Sequence, residues 1–499
     1  MNWVRHTVFT VLPLGLIGCA GPFSAVSEPK PYGATPTPAQ LDWHDREFYA
    51  FLHFTTNTFT DREWGYGDES PNVFHPTEFN ADQIVSVLQD AGATAVILTC
   101  KHHDGFCLWD SAYTTHDVAS SDWMDGQGDV VRAISDACAL HGMGFGVYLS
   151  PWDRNHPGYG TPEYVDYFRN QLRELLTNYG PIYEVWFDGA NGGDGYYGGA
   201  RETRLIDRES YYNWEETFAL VRELQPGAVI FSDIGPDIRW IGNESGYAAD
   251  PCWATYDPKP LKPGGTPAPG ATKYQEAETG HRDGSRWMPA EADVSIRPGW
   301  FYHESESGRV RSPEELFALY MNSVGRGASL LLNVPPDRRG MIHHEDEASL
   351  VEFGNLLRAC FETDLAVNAT AKATNTRGNS PRFAAQGAID SERSTYWATD
   401  DAVTSAALTL AFSETVTFNI VSLREYLPLG QRVDAWNLDV WVDDAWQKYA
   451  TGTGIGSRKL IWTAPVTTDR IRLRLDDIST CPAISEFAVH LGPLAQAKP

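Results

Sequence analysis

The chain has 499 residues and a formal net charge of −27, a length that calls for more than one core and a charge that opposes nucleic acid and anionic lipid as partners. Neutral ligands such as saccharides stay open. The seven cysteines show no CxxC spacing, so neither a disulfide scaffold nor a zinc site organises the fold.

In chain order, Arg5 precedes an apolar run over 8–17, too short to span a bilayer but suited to a signal peptide. The run ends in Leu16-Ile17-Gly18-Cys19, which resembles the lipobox of bacterial lipoproteins. Residues 1–18 are read as an export signal and Cys19 as a lipid-bearing anchor to the membrane, at the periplasm or cell surface. An ordinary cleavage site with an incidental cysteine is the alternative. Residues 19–40 follow as a Pro-rich, mobile linker.

From there short apolar runs at 48–54, 95–100, 145–150, 182–187, 228–232, 288–294 and 330–334 alternate with helix-period segments at 81–91, 129–141, 161–179, 210–224, 312–324 and 345–360. Thr161-Pro162-Glu163 and Ser312-Pro313-Glu314 carry helix-start chemistry, a capping hydroxyl before proline and an acid in the first turn. Repeated alternation predicts a (β/α)8-type barrel over 41–362, because parallel strands need crossover helices. Its last strand is not legible. Residues 264–270, rich in Pro and Gly, read as a long loop over the active face. Beyond Cys360 short Val-, Thr- and Trp-rich runs without helical period predict a β-sandwich over 366–494.

In such barrels the chemistry sits where strands end. The run 182–187 is followed by Asp188 and then glycine. Alternation puts Glu184, Trp186 and Asp188 on one face, and Val185 and Phe187 on the other. Asp188 is therefore the leading catalytic carboxylate, with a turn-capping Asp as the plain alternative. The other runs end on His53; Lys101, His102, His103 and Asp104; Trp152 and Asp153; Asp233; Glu291 and Asp293; and Asn333.

The segments 54–65, 101–109, 148–155 and 185–190, the last reading Val-Trp-Phe-Asp-Gly-Ala, together resemble the α-L-fucosidases of glycoside hydrolase family 29. The segments 233–246 and 294–303 extend the match through the barrel, towards the subfamily cleaving α-1,3/1,4-linked fucose. The resemblance implies an exo-acting, retaining enzyme on fucosylated oligosaccharides, with Asp188 as nucleophile and Glu244 as acid/base. Glu291 is the rival acid/base. It also implies sugar contacts from His53, Glu63, Trp64, His102, His103 and Tyr148, with Trp186 and Trp300 as aromatic walls. Thr55 stands where glycine is expected, which points to an altered pocket rim. Adjacent strand positions would aim His102 and His103 at opposite faces, so no metal is expected there, and catalysis needs no cofactor. Residues 388–398 are similar to the opening of discoidin-like domains, which implies a carbohydrate-binding module that admits a structural calcium. A sandwich that merely braces the barrel is the alternative. For the whole chain the rival functions are a broad-specificity α-L-fucosidase, a related exo-glycosidase, or a non-catalytic fucose-glycan-binding protein.

Overall fold

The computed structural model describes residues 26–494, so the signal peptide and Cys19 lie outside the described residues. Eight parallel strands close a barrel in sequential order: β1 (Phe48–Leu52), β2 (Ala95–Lys101), β3 (Gly144–Leu149), β4 (Glu184–Trp186), β5 (Val229–Ser232), β6 (Ile238–Trp240), β7 (Ala290–Ser295) and β8 (Ser329–Asn333). The strand that sequence reading missed is β6, not the last one. It has three residues, follows β5 without an intervening helix, and pairs Phe231 with Ile238 and Ser232 with Arg239. With no helix between it and β5, the strand–helix alternation gives it no mark.

The crossover helices fall close to their predicted places, at Ala81–Asp90, Val130–His141, Pro162–Asn178, Trp214–Leu224, Pro313–Asn322 and His344–Phe361. Ser312 caps its helix as expected, accepting the Glu315 N–H while Glu315 reaches back; the hydroxyl of Thr161 makes no such cap. Two helices were not foreseen, the short Thr56–Thr60 and one ahead of the barrel. Pro38–Arg46, here α1, starts with a capping box between Thr37 and Gln40. The Gln40 amide donates to the carbonyls of Asp237 and Trp287 at 2.9 and 2.8 Å. Those residues precede β6 and β7, so α1 lies across the amino-terminal mouth of the barrel.

Alternation along β4 holds. Val185 and Phe187 pack outward among the helices, while Trp186 joins Phe51, Tyr148 and Phe231 in a separate interior cluster. The Trp186 and Phe231 rings stack 4.1 Å apart. This aromatic plug closes the barrel beneath its carboxyl-terminal mouth and forms the floor on which a ligand would rest.

After the barrel an antiparallel sandwich is built around two twenty-residue strands, Ala406–Glu425 and Lys459–Ile478, with its own core centred on Trp397, Phe418, Trp436 and Phe487. Among the described residues the six cysteines are free and buried. No group of three or more His, Cys, Asp or Glu is arranged to hold a metal ion there, so the sandwich offers the expected calcium no such cluster. The segment read as a mobile linker is laid across the sandwich from Val26 onward. Arg377 and Arg432 donate to the carbonyls of Ser27 and Lys30, and the Tyr32 N–H to Leu429. Partners this far away in sequence leave no trace in local composition.

Candidate active site

The carboxyl-terminal mouth opens into a pocket of about 470 Å³. Asp188, Glu244 and all eight expected sugar contacts line it: His53, Glu63, Trp64, His102, His103, Tyr148, Trp186 and Trp300. Asp188 lies two residues past the end of β4. Its Oδ2 accepts the Tyr148 hydroxyl at 2.9 Å, and its Oδ1 accepts the Ala190 N–H at 2.6 Å. Burial lifts its pKa above the ordinary aspartate value, and these two donors restrain the rise.

The histidines are neutral donors and acceptors. The Ser150 hydroxyl gives its one proton to the Trp152 carbonyl at 2.6 Å, so it can only accept from His103 Nδ1, 2.7 Å away. This leaves His103 Nε2 as a bare acceptor, 3.7 Å from Asp188 Oδ2. Two acceptors cannot bond each other, so a ligand hydroxyl is what the gap suits. Likewise the Asn333 amide donates to Ser295 and to the Trp300 carbonyl, which turns its oxygen to His53 Nδ1 at 2.8 Å. Burial drives the pKa of His53 and of His103 down to about 3, and that of His102 well below the ordinary value. The expectation that His102 and His103 face opposite ways fails. Strand β2 ends at Lys101, and beyond it the chain turns so that both rings line the pocket with centroids 4.1 Å apart.

Other strand-end residues belong beneath the pocket. Lys101 and Asp153 form a fully buried ion pair at 3.2 Å. Asp104 accepts the hydroxyls of Thr55 and Thr56, both at 2.7 Å. Thr55 is therefore buried support and does not touch the rim, contrary to expectation. Glu291 is also withdrawn. It is 0 % exposed and does not line the pocket; one oxygen accepts the Trp186 indole N–H at 2.7 Å and the other the Tyr49 hydroxyl. Burial raises its pKa to about 7, but its proton faces the barrel interior below Trp186.

Glu244 stands on the long connection from β6 to β7, residues 241–289, which also carries the 264–270 segment over the mouth. Arg239, fully buried, anchors that connection through the carbonyls of Ala277 and Trp253. Gly242 packs against the Tyr274 carbonyl with a φ of 93°, a conformation and a clearance that favour glycine. Asn243 accepts the Ser245 N–H at 3.0 Å, a local turn that holds Glu244 out of the loop. Burial raises the Glu244 pKa; the Trp300 indole lowers it, and the charges of Asp188 and Glu63 add to the rise.

Several lining residues had no assigned role. Asp233, which ends β5, accepts the Gly270 N–H and the Tyr274 hydroxyl, each at 2.7 Å, and so pins the overhanging loop. Burial raises its pKa to about 6. Asp293 accepts the Trp240 indole at 2.7 Å. Both acids were visible as strand ends. Arg208, Leu261, Thr272 and Tyr274 come from irregular connections, and no periodic signal marks them.

A (β/α)8 barrel with carboxylates set among neutral imidazoles and indoles at its carboxyl-terminal mouth defines a glycoside hydrolase. Similarity narrows the class. The α-L-fucosidase family profile matches residues 31–360. The chain is 40% identical over 490 residues to "Alpha-L-fucosidase 1" of Arabidopsis thaliana, covering 97% of this chain and 92% of that protein. It superposes with a TM-score of 0.82 and 40% identity on a glycoside hydrolase 29 family member from an unknown rumen bacterium, over 94% of this chain and 79% of that one. A Ruminococcus gnavus family 29 fucosidase solved in complex with fucose gives 0.83 and 32%, over 94% and 97%. The chain belongs to the α-L-fucosidase family, glycoside hydrolase family 29. Its activity is that of an α-L-fucosidase.

Proposed function

We propose that this α-L-fucosidase is exo-acting and retaining, and that it removes α-1,3/1,4-linked fucose from branched, Lewis-type glycans, with Asp188 as nucleophile and Glu244 as acid/base. The carrying observation is the division of labour among the pocket carboxylates. Both oxygens of Glu63 are engaged by the 300–303 segment, Asp233 holds the overhanging loop, Asp293 holds Trp240, and Glu291 is sealed off. Glu244 holds no segment of the chain in this way: the Trp300 indole lowers its pKa against the rise from burial, and its carboxyl is left able to donate a proton.

The chemistry follows from the pair. Ionised Asp188 attacks the anomeric carbon while protonated Glu244 gives its proton to the departing sugar oxygen, so the glycosidic bond breaks as the Asp188 ester forms. Glu244, now a base, takes a proton from the water that hydrolyses this fucosyl-enzyme. Retention asks for carboxyl groups about 5–5.5 Å apart in the complex. Neutral imidazoles suit the three ring hydroxyls, and Trp186 and Trp300 suit the methyl and C–H faces. The motif match of 233–246 and 294–303 supports the branched-substrate preference. The sequence 16–19 supports export and tethering through Cys19, a reading that fails if Cys19→Ser leaves detergent-phase partitioning unchanged.

The test is fucose release from Lewis a or Lewis x trisaccharide, and from an aryl fucoside, by the parent, Asp188→Ala, Glu244→Gln and Glu291→Gln, each with azide. Loss in Asp188→Ala with recovery of an inverted fucosyl azide is the expected result. Glu244→Gln should collapse and Glu291→Gln only weaken; the reverse pattern hands the acid role to Glu291. A parent faster on the aryl fucoside than on the trisaccharides supports the broad-specificity alternative instead.

A further inference from the structure

Glu63 lines the pocket, yet its hydrogen bonds run outward to one segment of chain. Its Oε2 accepts the Trp300 N–H at 2.9 Å; its Oε1 accepts the Phe301 N–H at 3.3 Å and lies 2.6 Å from His303 Nε2. Trp300 is itself a wall of the pocket, whereas His303 does not line it. The second ring nitrogen of His303, Nδ1, lies 2.8 Å from Asp61 Oδ1. Carboxylates only accept, so a ring with one on each nitrogen satisfies both as the doubly protonated imidazolium. The ring is 13% exposed, where such charge-assisted bonds are strong.

We propose that His303 is a positioning residue whose imidazolium clamps Glu63, and through it the Trp300 wall, in the geometry that binds fucose. The clamp rests on the reading of Glu63 and Trp300 as sugar contacts. It couples affinity for the sugar to the charge of a group that never touches it.

The charged surroundings fix the direction of the pH dependence. Asp61, Glu63 and Glu306 face His303, and Arg338 approaches Asp61 at 3.9 Å. Burial opposes the cation, but Asp61 and Glu63 outweigh burial and raise the His303 pKa above its ordinary value. The clamp therefore persists to higher pH than an ordinary imidazole would allow, and it is lost as pH rises through that raised value. A neutral ring would turn a lone pair towards one of the two carboxylates.

The experiment measures the inhibition constant for L-fucose, whose binding needs no proton transfer, together with kcat and KM across pH for the parent, His303→Gln and Asp61→Asn. Thermal unfolding checks each variant. His303→Gln should weaken fucose binding about tenfold or more on the acid side of the parent's binding profile, raise KM in step, and leave kcat within about threefold. Asp61→Asn keeps the shape but removes a charge that favours the cation. It should lose affinity for fucose at a lower pH than the parent does. If His303→Gln does not fold, this shift carries the test. An active parent with both variants matching it at every pH overturns the clamp, as does a fall in kcat with unchanged fucose binding. A parent that neither binds nor releases fucose overturns the functional reading and the clamp with it.

Discussion

Tyr148 spends its hydroxyl on Asp188, and under the proposed mechanism that bond, with the one from the Ala190 N–H, bears on the acid limit of catalysis. As the proposed nucleophile Asp188 works ionised, so activity should fall as pH drops through its pKa. Burial has raised that pKa and the Tyr148 hydroxyl holds it down. Tyr148→Phe should therefore move the acid limb of the kcat/KM profile to higher pH; an unmoved limb would show that the Ala190 N–H alone sets it. At this scale the sequence was informative about Asp188, because a strand ending in Asp-Gly announces its own geometry. It misled about Glu291. That residue shares a strand face with Asp293, but one step deeper, and two residues along a strand separate a pocket wall from a sealed interior.

Between elements, the decisive contacts are made by short irregular pieces. Gly189 lies so close to Asp233 that an added Cβ would stand 2.1 Å from its Oδ2. Gly189→Ala must displace either the chain beside Asp188 or the acid that pins residues 270 and 274. We expect kcat/KM to fall about a hundredfold, the scale on which an ångström of misplacement acts, with thermal unfolding recorded alongside. Unchanged kcat/KM would mean that the overhanging loop yields instead. The other seven strands and six crossover helices were legible through their periods. Strand β6 and the course of 241–289 were not, because they are fixed by buried Arg239 and by side chains from other connections.

At the scale of the whole molecule the sandwich is bound to the barrel by charge. Glu47, at the end of α1, is paired with Arg393, Arg424 and Arg458 and accepts the Tyr320 hydroxyl at 2.8 Å. Arg424 also meets Glu486 at 2.9 Å. Burial opposes ionisation of both acids, but the guanidinium groups hold Glu47 far below the ordinary range and Glu486 at about 2. Such depressed values stabilise the fold fully above the ordinary glutamate pKa, and the benefit is lost as pH falls through the folded-state values. Glu47→Gln should cost about 3–5 kcal/mol at pH 7, the penalty for breaking a buried pair, and less at pH 3. Denaturant unfolding at the two pH values measures both; equal losses would deny the cluster its electrostatic role. The contact favours the bracing alternative for the sandwich.

The sequence by itself determined the two-part architecture, the barrel class and the nucleophile candidate, because periodicity and strand-end chemistry are local; the residues expected around the sugar came from the family resemblance. Only the tertiary structure decided which carboxylates are open to the pocket and which are sealed, that residues 26–33 cross the sandwich, and that His303 sits between Asp61 and Glu63. Those facts depend on burial and on partners up to some 400 residues apart, and neither is written in any one stretch of chain.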